Sequence, residues 1–281
     1  MVFKTGPASA YSDSEYRSFR GFLEKSCGIV LGENKNYLID SRLRRIIRDN
    51  GITSLSDLVR KVDRAGKDPL KQKVIDAMTT NETLWFRDRH PFEFFGNTLL
   101  PELANAGQPV NIWCAASSSG QEPYTISICA EEFKKRTATK PTKDVSVVAT
   151  DICMEILEQA KSGVYEMLAL NRGMSNDRLN RYFLENHQGQ WKIKPEIQRR
   201  VEFKQLNLKE SFSGLGRFDV VFCRNVLIYF SSELQNQILR NIHGVLKPGG
   251  YLFLGGSETP RGLNDYFEVR YYTPGVVYKK K

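Results

Sequence analysis

The sequence predicts a doubly wound α/β protein whose mostly parallel sheet ends in an antiparallel edge, preceded by a small all-helical domain. Three observations carry that prediction. From residue 110 onward, apolar β-type runs alternate with helical patterns, as in a parallel sheet covered on both faces. Residues 1–80 hold helical patterns separated by glycine-containing turns and no convincing strand. The run WCAASSSGQEPYTI, from Trp113 to Ile126, passes from a buried-strand pattern through small residues into a helix, with Pro123 suited to a first turn.

The first helix begins near Asp13, where Ser and Asp precede Tyr16, Phe19, Phe22 and Leu23 at helical spacing. A second runs from about Tyr37 to Arg48 and stops before Asn50 and Gly51. Ile39, Leu43, Ile46 and Ile47 form its apolar face, Arg44, Arg45 and Arg48 lie opposite, and Arg42 is on the flank. A solvated charged face is the commoner meaning of such a pattern. The absence of interleaved Glu at i+4 favours instead an acidic partner. This domain, 1–80, holds 15 Lys and Arg against 10 Asp and Glu, so it carries more than half of the net charge of +9. Its opening stretch, MVFKTGPASAYSDSEY, lacks the apolar segment of a signal peptide, so the protein is expected to stay in the cytoplasm.

The second domain, 81–281, is expected to have strands at Val110–Ala115, Val145–Ala149, Val201–Phe203, Phe218–Cys223 and Tyr251–Leu254. Helices are expected at Pro123–Arg136, Cys153–Ser162 and Ser231–Leu246, the last ending at a Lys247-Pro248-Gly249-Gly250 turn. Two closing runs, Phe267–Tyr271 and Gly275–Lys279, follow without a helix and form the antiparallel edge. The rhythm breaks over about 164–200 into a polar, basic insertion, with a small antiparallel element around Gln190–Ile193.

Composition narrows the function classes. With 41% hydrophobic and 26% charged residues and no apolar run of ~18, the chain is expected to be globular and not to insert in a membrane. Cys27, Cys114, Cys129, Cys153 and Cys223 are scattered in apolar patterns without a CxxC pair, and the three histidines are far apart. Buried reduced thiols are expected, and neither a metal site nor a Cys/His nucleophile. The positive charge calls for an anionic partner.

The loop after Ala115 lacks G-x-G-x-x-G, and no phosphate-binding loop of the G-x-x-x-x-G-K type exists. Asp151 closes its strand where an acid accepts hydrogen bonds from two ribose hydroxyls, but it is equally well placed to cap the next helix. A small-residue loop after the first strand, an acid after the second and LKPGG before the fifth together favour an adenosyl ligand without phosphates. That combination points to S-adenosylmethionine.

Four blocks then add a resemblance: MTTNETLWFRDRHPFEFF from Met78, CAASSSGQEPYTI from Cys114, ATDI from Ala149 and FDVVFCRNVLIYF from Phe218. In this order, and with the KPGGYLFLGGSE block, they resemble the CheR family of bacterial chemotaxis receptor glutamate methyltransferases. The resemblance implies a class I S-adenosylmethionine-dependent methyltransferase fold with a helical N-terminal domain and a small β-subdomain insertion. It implies methyl transfer to glutamate carboxylates of methyl-accepting receptor helices, giving methyl esters for sensory adaptation. By the same resemblance, Asn81, Thr83 and Arg87 contact the cofactor, Glu122 its amino group and Asp151 its ribose. Asn207 and Leu208 lie on the adenine side. Arg224 and Asn225 stand near the reacting atoms, and Arg87 and Tyr229 are the candidate catalytic residues. Arg42, Arg44, Arg45 and Arg48 would face the acidic receptor.

Two departures stand out. Ser117-Ser118-Ser119 replaces a loop that often holds Thr or Cys, and Gln121 stands where an acid is common. The insertion loop NHQGQWKIK lacks the glycine-rich turn of members that dock on a receptor's C-terminal pentapeptide, so no such tether is expected. A nucleic-acid methyltransferase is the enzymatic rival, disfavoured because no Asn-Pro-Pro-Tyr type motif is present. A non-catalytic ligand sensor is the other, disfavoured by the joint presence of Arg87, Glu122, Asp151, Asn225 and Tyr229.

Overall fold

The structure is a computed structural model and describes residues 11–64, 68–105, 107–137 and 144–281. The first ten residues of the stretch read as lacking a signal peptide, 1–10, lie outside the described residues. The chain divides into two compact units. One comprises the residues up to Thr80 together with Tyr229–Ser231, and the other comprises Asn81–Ile228 and Ser232–Lys281.

The first unit holds helices α1 (Asp13–Cys27), α2 (Asn36–Asp49), α3 (Leu55–Arg64) and α4 (Pro69–Met78). Ser12 and Glu15 form a reciprocal capping box at the start of α1, and Gly28 at φ +80° closes its end, so both termini are fixed by local chemistry. Tyr16, Phe19, Phe22 and Leu23 are buried, as their spacing requires. The α2 face built on Ile39 and Leu43 is buried as well. A distant segment also joins this unit, through the Val30 N–H donating to the Tyr229 carbonyl at 2.9 Å.

The arginine face of α2 departs from expectation. Asp40 pairs with Arg44 at 2.9 Å, and Asp49 pairs with Arg45 at 3.4 Å and Arg48 at 3.0 Å. Aspartates at i−4, i+4 and i+1 thus supply the balance that a search for glutamate misses. Arg42 is half-buried and engaged within the helical unit itself. Its guanidinium donates to the carbonyls of Met78 and Thr79 and to Thr80 Oγ1, so it satisfies carbonyl groups at the end of α4.

The second unit opens with α5 (His90–Phe94), a π-helical turn (Phe95–Leu99) and α6 (Leu100–Ala104). Then follow β1 (Val110–Ala115), α7 (Gln121–Arg136), β2 (Val145–Asp151), α8 (Met154–Ser162), β3 (Val164–Tyr165), α9 (Met167–Leu170), α10 (Asn176–Tyr182), β4 (Phe183–Glu185), β5 (Trp191–Ile193), α11 (Pro195–Gln198), β6 (Val201–Gln205) and β7 (Phe218–Cys223). After a 3-10 turn at Leu227–Tyr229 come α12 (Ser232–Val245), β8 (Leu246–Leu254), β9 (Phe267–Tyr272) and β10 (Gly275–Lys280). The main sheet has the order β6-β2-β1-β7-β8-β10-β9. Its first five strands are parallel and the last two antiparallel.

The chain moves outward from β1 in one direction through β2 and β6, and in the other through β7 and β8. A crevice therefore opens at the carboxyl ends of β1 and β7, where the winding reverses and where open α/β sheets bind ligands. The core is aromatic: Phe222 stacks on Phe253 with centroids 4.5 Å apart and on Phe92 at 5.8 Å. Each such fully buried ring contributes roughly 2 to 3 kcal/mol. The insertion is a separate sheet of order β3-β5-β4. Trp85 packs edge-on against its Tyr165 and Phe183, which ties the NETLWFR segment to it.

One boundary differs. The sequence places a turn at Lys247–Gly250, but β8 begins at Leu246, directly after α12. Pairing jumps from Phe218–Leu246 to Val220–Tyr251, so the segment bulges out of register. Gly250 passes so near the Asp219 and Lys247 carbonyls that a Cβ would stand 3.0 Å from both. Among the described residues, no helix is long and apolar enough to cross a membrane, and no cluster of His, Cys, Asp and Glu is suited to a metal ion.

Candidate active site

Sparsely populated backbone conformations concentrate around the crevice. Phe86, Asp88, Arg89, Ala116, Ser118 and Asn225 all have φ between +49° and +67°. Each costs about 1 to 3 kcal/mol and persists only where surroundings impose it. After β1, the Ser117 N–H donates to the Thr150 carbonyl at 2.8 Å, and Tyr165 donates to the Ser119 carbonyl at 2.8 Å. Gly120 then starts α7 at φ +93°, where a Cβ would meet the Tyr165 hydroxyl and Ala160. Only glycine lets the loop turn there.

Ser118 links two expected site residues. Its N–H donates to Asp151 Oδ2 at 2.8 Å and its hydroxyl to the Asn81 carbonyl at 2.8 Å. Asp151 also accepts from the Cys153 N–H at 3.0 Å, and Cys153, not Asp151, holds the N-cap position of α8. Asp151 therefore does not cap the helix; its carboxylate ties the β2 end to the β1 loop. Asn207 follows β6, where its Oδ1 accepts from the Lys209 N–H at 3.1 Å, and Leu208 is buried beside it. Thr83 is half-buried.

A second cluster lies at the β7 end. The Arg224 side chain is only 1% exposed, pairs with Glu122 at 2.8 Å and Asp88 at 2.6 Å, and lies over the Phe92 ring. The other Glu122 oxygen accepts from the Cys114 thiol at 3.2 Å. Burial and the adjacent Glu122 push that thiol well above its ordinary pKa, so it remains a neutral donor. Cys129 is pushed up to about 12, also by burial first. All five cysteines are buried and unbridged, which fits structural thiols and not nucleophiles.

Arg87, Asp88, His90, Arg224 and Asn225 line a cavity of about 1040 Å³ together with residues 254–259 and the β9–β10 turn. His90 Nδ1 stands 3.0 Å from the Tyr272 hydroxyl, whose pKa burial pushes up to about 12. The cavity gathers Arg87, Arg224 and Asn225 but its lining does not include Asn81, Thr83, Glu122, Asp151, Asn207 or Leu208. Arg87 is half-buried, and among the described residues its guanidinium has no hydrogen bond or ion pair. Tyr229 is half-buried in its 3-10 turn, with a hydroxyl that has no hydrogen bond among the described residues.

Sequence reasoning assigns no role to Asp88, His90, Tyr272 or Glu258. Glu258 accepts four backbone N–H bonds, from Asn225, Val226, Leu227 and Gly255. The one signal in the sequence is an acid just past the glycines that end a parallel strand.

An S-adenosylmethionine-sized ligand fits this donor set. Among the described residues, the half-buried Arg87 guanidinium has no partner, which suits an anionic group, and the buried Ser117 Oγ has no hydrogen-bond partner, while the carboxylate after β2 suits hydroxyls. Comparison with known proteins agrees. The CheR methyltransferase all-alpha domain matches residues 14–79, and the CheR methyltransferase SAM binding domain matches 81–276. Chemotaxis protein methyltransferase 1 of Pseudomonas aeruginosa is 51% identical over 272 residues, covering 96% of this chain and 99% of that protein. A chemotaxis protein methyltransferase of Vibrio parahaemolyticus is 48% identical, covering 98% and 99%. That of Escherichia coli is 33% identical, covering 93% and 90%. This chain belongs to the CheR methyltransferase family, as an S-adenosylmethionine-dependent methyltransferase with a helical N-terminal domain.

Proposed function

We propose that this protein transfers the methyl group of S-adenosylmethionine to glutamate carboxylates on the cytoplasmic helices of chemotaxis receptors. The observation that carries the reading is Arg87, a half-buried guanidinium without a partner among the described residues, at the wall of the crevice. Residues 1–80 form the receptor-facing domain and 81–281 the methyltransferase domain. Bound cofactor supplies an electrophilic methyl on a sulfonium centre. Asn81, Thr83 and Arg87 hold its methionyl end, Asp151 its ribose, and Asn207 with Leu208 its adenine side, while Asn225 lies by the reacting atoms. Glu122 takes the amino group, and Arg224, buried against it, orients Glu122.

The acceptor glutamate has a reference pKa of about 4.3 and is ionised at neutral pH, so no general base is required. What the chain's residues contribute is alignment and exclusion of water. Tyr229 hydrogen-bonds the acceptor carboxylate and fixes its approach. Tyr229→Phe is then expected to lower kcat about tenfold, the scale of one oriented hydrogen bond, with unchanged affinity for S-adenosylhomocysteine. Equal loss in both quantities would remove the positioning role.

The α2 arginines Arg44, Arg45 and Arg48 steer the acidic receptor. Their side chains are at least 75% exposed, and their pairs with Asp40 and Asp49 are screened by solvent, so an external carboxylate competes readily. Changing Arg44→Glu with Arg48→Glu is expected to reduce receptor kcat/KM roughly threefold to tenfold at low salt and to flatten its ionic-strength dependence. A double variant with the parent's salt profile rules the surface out. The enzyme is expected to methylate a receptor trimmed of its C-terminal tail as well as the intact one.

The deciding experiment incubates the protein with radiolabelled cofactor, receptor fragments and RNA. Alkali-labile label on receptor glutamates supports the reading. Stable label on RNA transfers it to the nucleic-acid class, and cofactor binding without any transfer leaves a sensor.

A further inference from the structure

The crevice residue Asn225 is held at φ +58°, a conformation a non-glycine residue adopts only under constraint. The constraint is a single carboxylate. Glu258 Oε2 accepts from the Asn225 and Gly255 N–H groups, both at 2.7 Å. Its Oε1 accepts from Val226 at 2.9 Å and Leu227 at 2.7 Å. Both oxygens are fully engaged by amides, and the residue is only 6% exposed. Three of the four donors are successive residues of the turn that leaves β7, and the fourth, Gly255, directly follows β8. The carboxylate thus joins the carboxyl ends of two neighbouring parallel strands at the wall of the ligand cavity.

Gly255 completes the arrangement. A Cβ there would stand 2.7 Å from Glu258 Oε2 and 2.9 Å from the Asn225 nitrogen, so no other residue fits without displacing the clamp. An ordinary surface turn leaves its amides to water. Here a buried negative charge organises them, and such charge-assisted bonds are about twice as strong as neutral ones.

We infer that Glu258 is a positioning residue for methyl transfer. It sets the backbone from Asn225 to Leu227, and through it the chain leading into Tyr229, while both of its own oxygens are already taken by backbone amides. The inference rests on the methyl-transfer reading for its kinetic part only. A displacement of about 1 Å at such a site is able to cost up to a hundredfold in rate.

The test uses the full chain and three variants. Glu258→Gln replaces one accepting oxygen by an NH2 group that faces N–H donors. It is expected to lower kcat per cofactor-competent site, counted by S-adenosylhomocysteine calorimetry, about tenfold to a hundredfold, with affinity for that ligand within about threefold of the parent. Glu258→Asp keeps the charge one methylene short and is expected to fall between. Gly255→Ala disturbs the clamp from the other side without removing charge and is expected to reproduce the kcat loss. It also decides the matter if Glu258→Gln does not fold. Amide hydrogen exchange of Asn225, Val226, Leu227 and Gly255 should accelerate in the variants while α7 is unchanged, a readout independent of any substrate. A Glu258→Gln protein with the parent's kcat per competent site overturns the proposal, even if its Tm is lower. So does a folded Gly255→Ala protein with that kcat, as does unchanged exchange. An inactive parent with the expected exchange changes instead sinks the methyl-transfer reading and leaves the clamp standing.

Discussion

Arg87→Ala is expected to reduce kcat/KM by roughly tenfold to a hundredfold and to weaken S-adenosylhomocysteine binding by a similar factor, with almost no change in Tm. The magnitude is that of a forked, charge-assisted pair to a carboxylate. The unchanged Tm follows because the guanidinium has no partner among the described residues, so nothing in the fold is left unpaired by its removal. Arg87→Lys should recover only part of the affinity, since a compact ammonium does not offer two parallel donors. Calorimetry showing parent-level binding in Arg87→Ala would show that the cofactor's carboxylate is held elsewhere.

Arg224→Leu is expected to do the opposite and act on stability first. The guanidinium is buried, and its Glu122 partner is 13% exposed while Asp88 is 46% exposed. Loss of the cation strands Glu122 against a neutral Cys114 thiol, whereas Asp88 is rehydrated at little cost. Breaking a buried pair from one side costs about 3 to 5 kcal/mol. For a unit of this size that corresponds to a Tm decrease of roughly 6 to 20 °C in scanning calorimetry. Adding Glu122→Gln should restore part of the loss, because the stranded charge is removed. A single variant within about 2 °C of the parent would mean that water or another cation already neutralises Glu122.

The two arginines look alike in the sequence, each beside aromatic residues in a family-like block. They differ because of what the fold brings near them. Glu122 is 102 residues from Arg224, and Asp88 is 136 away, and no local pattern encodes those meetings. Arg42 is a similar case. Helical spacing places it on the flank of α2, but the end of α4 presents carbonyls that a guanidinium satisfies better than water does. The balancing aspartates of α2 are legible in the sequence, and a rule looking only for glutamate at i+4 passes over them. Glu258 is legible only as an acid after glycines. Its role depends on two strand ends being adjacent, which is a property of the sheet order.

By itself the sequence determined the helical first domain, the alternating strands and helices, the insertion, the antiparallel edge and the methyltransferase family. Those follow from periodicity, turn chemistry and motif blocks, all of which act over short stretches of chain. The tertiary structure alone decided which charges are neutralised, which are left for a ligand, how the β7 turn is held, and that Tyr229–Ser231 joins the helical unit. These depend on partners far apart in the chain, and whether a buried charge is stabilised or stranded is set by what the completed fold places within a few ångströms of it.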